Sequence, residues 1–178
     1  EVVCADGIVR HIITEPVAIG DGTNSSGKIG PNGEHYTFLP LPGFSNPDTN
    51  KVAMNKWKWS WPPFWPDKIN DPVDPGWPGK WNGYFGKDIF NADEEGFFVI
   101  DDYANKEYPF YPDSRDPNRR GLGMRVWVRS FQWSQTLVED ALFCLYDIEN
   151  IGTFKHDKMV FGYKIGNIMG HVLNTSFG

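Results

Sequence analysis

The feature that most restricts the fold of this 178-residue chain is segment 56–86, KWKWSWPPFWPDKINDPVDPGWPGKWNGYFG, which holds six of its eight tryptophans and six of its fourteen prolines. Proline fixes φ and removes a backbone donor, so a helix cannot run through this segment. At its start, NKWKWSW alternates strictly, which predicts a strand with Trp57, Trp59 and Trp61 on one face. Over residues 62–78 the prolines predict an extended or turning connection.

The tryptophans of this segment have three interpretations. Buried over a sheet, each ring contributes about 2 to 3 kcal/mol, and the segment acts as a lid in place of helices. Partly exposed, a row of indoles about 6.6 Å apart along a strand forms a platform for sugar rings. Alternatively, the rings form a subunit interface, where aromatic side chains are favoured anchors. The candidate ligand or interface residues are Trp57, Trp59, Trp61, Trp65, Trp77 and Trp81.

Composition and charge exclude several classes of function. The formal net charge is -6 and the pI is about 5.1, which disfavours nucleic acid as a partner, because such proteins neutralise phosphates with clustered Lys and Arg. No apolar run approaches the roughly 18 residues of a membrane span, so membrane insertion is not expected. With 40% hydrophobic residues and nineteen glycines, the chain is expected to be globular and rich in turns.

Strand-like runs dominate the rest of the sequence. The runs EGFFVIDDY, GMRVWVRSFQWS, ALFCLYDI and DKMVFGYKIG follow one another without a helical period between them. In the second run, Met124, Val126 and Val128 fall on one face, which indicates a strand with one core side. The third run is apolar on both faces and is expected to be more buried. The turn-like link that follows predicts an antiparallel pair between residues 141–148 and 158–165.

These elements predict an all-β fold, an antiparallel β-sandwich of immunoglobulin-like or jelly-roll-like type, with a closed barrel as the alternative. We expect a single β-rich domain over residues 1–178. Its parts are an N-terminal hairpin (1–20) with a type I′ turn at Asp6-Gly7, a loop and Trp/Pro-rich strap (21–86), and antiparallel strands (87–178). The chain starts at Glu1 without an initiator Met or a signal peptide, so we expect it to be a processed fragment of a longer chain.

Acidic residues near the third quarter of the chain are the densest supply of oxygen ligands. Asp93, Glu95, Asp101 and Asp102 are candidate ligands of calcium, which binds six to eight oxygens from carboxylates and loop carbonyls. The alternative is that they are solvated acids at strand ends. No D-x-D-x-D-G register is present, and no other cofactor is expected.

Catalysis is not expected from this sequence. Two carboxylates across a cleft would suit a polysaccharide-acting glycoside hydrolase, which remains an alternative, but the sequence constrains no such pair. No G-x-S-x-G motif is present either. The two cysteines, Cys4 and Cys144, are a disulfide candidate that would close a very long loop, and Cys144 fits a buried thiol equally well because its neighbours are apolar.

The order EHYTFLPLPGFSNP, WPPFWPD, PGWPGKWNGYFGKDIFNADEEGFFVIDDYANKEYPFYPD and the later strand runs resembles the N-terminal region of long, secreted, functionally uncharacterised proteins of environmental Gram-negative bacteria. Many of these proteins end in a type IX secretion sorting domain. The likeness spans roughly residues 35 to 166. It implies an extracellular or cell-surface address and export from a Gram-negative-type bacterium, and it implies no activity, catalytic residue or ligand. The final segment NIMGHVLNTSFG lacks the aspartates expected from the resemblance.

From these observations we expect a non-enzymatic extracellular structural or adhesion domain of a secreted surface protein or surface assembly. Its expected partners are other surface-protein subunits or the rest of its own chain. A carbohydrate-binding module that uses the tryptophan row is the alternative, with polysaccharide as the partner.

Overall fold

The computed structural model describes residues 2–3, 9–10, 38–49, 51–107 and 109–160. These residues contain no α-helix, and the all-β class is confirmed. The 3₁₀ helices are Lys58–Ser60 and Pro66–Lys68. The strands are β1 (Val2–Val3), β2 (Val9–Arg10), β3 (Leu39–Pro40), β4 (Ala53–Met54), β5 (Asn82–Gly83), β6 (Gly86–Lys87), β7 (Glu94–Asp101), β8 (Met124–Gln132) and β9 (Phe143–Asn150).

The main sheet is antiparallel and is built on the three long strands β7, β8 and β9. The short strands β3 and β4 pair with opposite ends of the other edge of β7. The pairs Phe97↔Arg129 and Arg129↔Leu145 define one row of side chains across the sheet. This register is the one that alternation predicts, because residues two apart in each strand share a face.

Each face of the sheet has its own core. On the face of Phe97 and Val99, the Trp/Pro-rich strap covers the sheet. On the opposite face, Met124, Val126 and Val128 pack with residues from loops; the buried members from those loops are Phe38, Phe110 and Leu122. Strand β7 is therefore buried from both sides, which explains its nearly continuous apolar sequence.

Residues 57–61, at the start of the Trp/Pro-rich segment 56–86, differ from their prediction. The alternating run of Trp57, Trp59 and Trp61 forms a 3₁₀ turn rather than a strand. The turn is closed by Ser60, whose hydroxyl donates to the carbonyl of Trp57 at 2.6 Å and accepts the N–H of Met54 at 2.9 Å. A side-chain hydroxyl that satisfies local backbone groups favours a turn over an extended strand.

Residues 62–78 were predicted to be an extended or a turning connection, and they form a turning one. The N–H of Trp65 donates to the carbonyl of Gly76 at 2.7 Å, and the N–H of Gly76 donates to the carbonyl of Lys68 at 2.8 Å. The segment thus closes on itself as a loop over the sheet. On the face of the sheet that carries Phe97, the described residues form a layer made of the strap and its small β5–β6 hairpin. A β-sandwich would have a second large sheet in this position.

The prediction that Met124, Val126 and Val128 form a core face of β8 is confirmed, but the other face of this strand is not left to solvent. Its second face carries Arg125, Trp127 and Arg129, and the strap covers part of it. The guanidinium of Arg129 lies 3.9 Å from the ring centroid of Phe97 and donates to the carbonyl of Asn82 at 2.7 Å. Arginine can be covered in this way because its planar group stacks on a ring while its N–H groups keep acceptors.

The run around β9 was predicted to be more buried than β8, and this prediction was wrong. Leu142, Phe143 and Leu145 are exposed, and so is Cys144. Strand β9 is the last strand of the sheet among the described residues, and the strap ends before it. The predicted partner segment 158–165 lies mostly outside the described residues.

The N-terminal hairpin is antiparallel as predicted, with Val2 opposite Arg10 and Val3 opposite Val9. The Asp6-Gly7 turn itself lies outside the described residues.

Candidate functional site: two exposed aromatic surfaces

Three of the six candidate tryptophans belong to the core. Trp61, Trp65 and Trp81, here called the Trp lid, are buried against Phe97 and Val99. Their indole N–H groups donate within the chain: Trp61 to the carbonyl of Met54 at 2.6 Å, Trp65 to that of Lys80 at 2.8 Å and Trp81 to the carboxylate of Glu95 at 2.9 Å. Rings with buried faces and paired N–H groups offer nothing to a ligand.

Trp77 is half-buried at the outer side of the strap. Its indole N–H donates to the carboxylate of Asp71 at 2.7 Å, and the ammonium of Lys68 lies 5.0 Å from its ring centroid. The bond from Trp77, with backbone N–H groups of residues 73 and 74, lowers the pKa of Asp71 to about 2. Trp77 therefore stabilises the loop, and its indole N–H is already bonded to Asp71 rather than available to a ligand.

Trp57 and Trp59, here called the indole pair, are the two exposed members of the set. Their side chains are 46% and 52% exposed, and neither belongs to a core cluster. The two rings stack on each other with centroids 5.6 Å apart and planes 16° from parallel. They form the first of two exposed aromatic surfaces.

The second surface is a row of five rings that crosses the end of the sheet, here called the aromatic row. It runs in the order Phe85, Tyr84, Phe131, Trp133 and Phe143, and successive ring centroids are 5.0, 6.4, 6.2 and 5.4 Å apart. Two rings come from the tip of the β5–β6 hairpin, two from the end of β8 and one from the start of β9.

The aromatic row was not among the sequence-predicted site residues. One local signal for it was available: NGYFG places two large aromatic residues, Tyr84 and Phe85, at a hairpin tip, where Gly, Asn and Asp are usual. The contribution of Phe143 had no such signal, because it depends on the pairing of Phe143 with Phe131 across β8 and β9.

The four calcium candidates lie in two separate places. Asp93 and Glu95 are at the start of β7, while Asp101 and Asp102 are at its end. Asp93 accepts the N–H and the hydroxyl of Ser134, both at 2.7 Å. Among the described residues, no three His, Cys, Asp or Glu side chains are grouped so as to hold a metal ion. Calcium binding stays a prediction without a shared site for these four residues.

Asp101 and Asp102 form a buried network with two arginines. One Nη of Arg119 lies 2.7 Å from Asp101 and 3.0 Å from Asp102, and Arg125 binds the other oxygen of Asp101 at 2.9 Å. The carboxylate of Asp102 also accepts the N–H groups of Leu122 and Met124. Burial raises the pKa of Asp102 to about 7, against the lowering effect of these donors. The network fixes the loop between β7 and β8.

The candidate disulfide between Cys4 and Cys144 stays a prediction. Cys144 is a free and exposed thiol on β9, which contradicts the alternative that it is buried. Its predicted partner, Cys4, lies outside the described residues.

Comparison of the chain with protein-family models, with curated proteins and with solved structures finds no match. Of the part of the chain that the structure describes, no helix is long and apolar enough to cross a bilayer.

Proposed function

We propose that this chain is a non-enzymatic extracellular structural domain of a surface assembly, and that copies of it associate through the aromatic row. The single observation that carries the proposal is the row itself: five rings in contact, with no charged member, on the surface of an acidic protein. Exposed apolar patches of this kind on a folded domain are typical of protein contact sites, where Tyr, Trp and Phe are enriched.

The ends of the row are partly exposed and suit an anchoring role. Phe85 is 75% exposed and Phe143 is 48% exposed. Between them, Phe131 and Trp133 are half-buried, and Trp133 donates its indole N–H to the carbonyl of Asn91 at 2.9 Å. The row is thereby held in place before any partner arrives, and a preorganised surface loses less conformational freedom on binding.

A second copy is the partner that the charges favour. At the hairpin end of the row, Lys80 and Lys87 are paired with acidic residues of the strap region. At the β9 end, Glu139 and Asp140 are exposed, and neither forms a salt bridge with another residue in the described part of the chain. In a two-fold arrangement, the hairpin end of one copy faces the β9 end of the other, so the lysines of each copy approach the acids of its partner.

The remaining parts of the proposal have separate support. The acidic residues that were candidates for calcium binding are engaged in structural contacts: Glu95 with the Trp lid, Asp93 with Ser134 and the pair at the end of β7 with arginines. The extracellular address is supported by the resemblance of the sequence to secreted bacterial proteins.

Sedimentation velocity of the purified chain, from micromolar to millimolar concentration, tests this function. We expect the average mass to rise with concentration. Phe85→Ser and Phe143→Ser should each weaken association about tenfold or more, as expected for the loss of an interface anchor. Val73→Ser is the matched control, because Val73 is an exposed apolar residue outside the row. A monomer at every concentration, or equal association of all three variants, would overturn the proposal.

A further inference from the structure

We propose that the indole pair is a binding site for the pyranose rings of a polysaccharide. This site goes beyond the proposed assembly function and is independent of it, because Trp57 and Trp59 share no ring contact with the aromatic row. A chain could bind sugar as a monomer, and it could assemble without binding sugar.

The hydrogen bonding of the indole N–H groups distinguishes Trp57 and Trp59 from the other tryptophans of the chain. The other six all donate to an acceptor within the chain; they are Trp61, Trp65, Trp77, Trp81, Trp127 and Trp133. Among the residues that the structure describes, neither Trp57 nor Trp59 has an acceptor for its indole N–H. Six satisfied indoles indicate that the fold normally provides acceptors, so the two free donors are available to a ligand.

The backbone holds both rings in place although the rings themselves are exposed. The carbonyl of Trp59 accepts the side-chain N–H of Asn46 at 2.6 Å, and the N–H of Trp57 donates to the carbonyl of Met54 at 3.0 Å. In the same turn, the hydroxyl of the buried Ser60 donates to the carbonyl of Trp57. A rigid turn that presents two large apolar rings to water stabilises no core and is explained by a ligand.

The chemistry of the pair matches a sugar ring. A pyranose with equatorial hydroxyls has a flat face of C–H groups, which carry partial positive charge and pack against the negative face of an aromatic ring. Its hydroxyl oxygens can accept the free indole N–H groups at the ring edges. Because the rings are stacked nearly parallel, a sugar can pack on the outer face of the pair while its neighbour along the chain reaches the ring edges.

Two other ligand classes fit less well. A cationic ligand is disfavoured because Lys56 precedes Trp57 in the sequence and Lys58 lies between Trp57 and Trp59, with its ammonium 5.6 Å from the ring of Trp61. A proline-rich peptide needs a slot between aromatic side chains. Trp57 and Trp59 stack on each other and leave no such slot.

The experiment is a titration of the full chain, labelled with ¹⁵N, with hexasaccharides of β-linked glucose, xylose, mannose and N-acetylglucosamine, and with a polyuronate. The chain gives eight indole N–H signals, one for each tryptophan. We expect at least one of these glycans to shift the signals of Trp57 and Trp59 while the other six stay in place. Trp57→Ala and Trp59→Ala should each weaken binding about tenfold or more, measured by calorimetry.

Phe64→Ser is the matched control for loss of an exposed ring, because Phe64 is 52% exposed and belongs to neither aromatic surface, and it should bind the same glycan with unchanged affinity. The signals of the six other indoles report whether each alanine variant is folded. Failure of every glycan in the panel to move the two signals would overturn the proposal. So would a proline-rich peptide that moves them when no glycan does, or a glycan that binds the alanine variants as tightly as the unchanged chain.

Discussion

Trp81 donates its indole N–H to the carboxylate of Glu95 at 2.9 Å, and both side chains are buried. The other oxygen of Glu95 accepts the backbone N–H of Ala92 at 2.8 Å and also that of Asn91. A buried carboxylate is tolerated here because each of its oxygens has a donor. The Trp lid is thus joined to strand β7 by a polar contact as well as by ring packing.

Substitution of Trp81 by Phe should destabilise the fold. The change removes the donor for Glu95 and leaves a gap among buried rings, so we expect the free energy of unfolding to fall by about 2 to 4 kcal/mol. Chemical denaturation followed by circular dichroism measures the loss. The same substitution at the exposed Trp59 is the control and should change stability by less than about 0.5 kcal/mol. Equal losses at both positions would contradict the burial assigned to the lid.

Glycine is required at position 121. Gly121 has a φ of +74°, and a Cβ there would lie 2.4 Å from the carbonyl oxygen of Asp102 and 2.6 Å from its carboxylate. Gly121→Ala should therefore cost about 3 kcal/mol or more, since backbone and a buried network must move. Gly79→Ala is the control: its φ is +64°, but no atom lies within 4 Å of the added Cβ, so only the cost of about 1 kcal/mol for a left-handed residue applies. Thermal unfolding of the two variants compares them, and a larger loss at Gly79 would refute the packing of this loop.

Stability should fall as pH rises from about 4 to about 7. The pKa of Asp102 is about 7 in the fold, against 3.8 as its ordinary value. Over this range the unfolded chain loses the proton that the folded chain keeps, so the free energy of unfolding decreases, by at most about 1.4 kcal/mol per pH unit. The lowered pKa values of Asp71 and Asp113, both about 2, act below this window. Urea unfolding at several pH values measures the slope.

The control for this pH dependence is Asp102→Asn, which cannot titrate. It should be less stable than the unchanged chain, because Leu122 donates to one carboxylate oxygen while Met124 and Arg119 donate to the other, and the amide NH₂ of Asn cannot accept on its side. Its stability should also be flatter between pH 4 and 7. Parallel curves for the two proteins would show that another group is responsible.

The thiol of Cys144 should react in the native state. It is free and exposed on β9, so a disulfide-exchange reagent can reach it without unfolding the chain. We expect such a reagent to modify Cys144 in the folded chain in the absence of denaturant. Mass spectrometry after digestion identifies the residue. An unreactive Cys144 that becomes reactive only after reduction would indicate a bond to Cys4.

The sequence by itself determined the elements whose signals are local. Strands β7 and β8 lie where the runs EGFFVIDDY and GMRVWVRSFQWS predict them, because a period of two in apolar residues needs only neighbouring positions to be read. The absence of an α-helix in segment 56–86 follows equally from its prolines. The idea that tryptophans of this segment cover a sheet also came from the sequence, and Trp61, Trp65 and Trp81 do so.

The tertiary structure alone decided which tryptophans are covered and which remain exposed. Trp59 and Trp61 are two residues apart, yet one is exposed and the other is buried, since Ser60 turns the backbone between them and Met54 supplies an acceptor to Trp61 only. Likewise, Arg129 is covered because Phe97 and Asn82 come from other parts of the chain. Burial is a property of contacts between distant residues, so a pattern of neighbours predicts that a residue can be buried but not that a partner covers it.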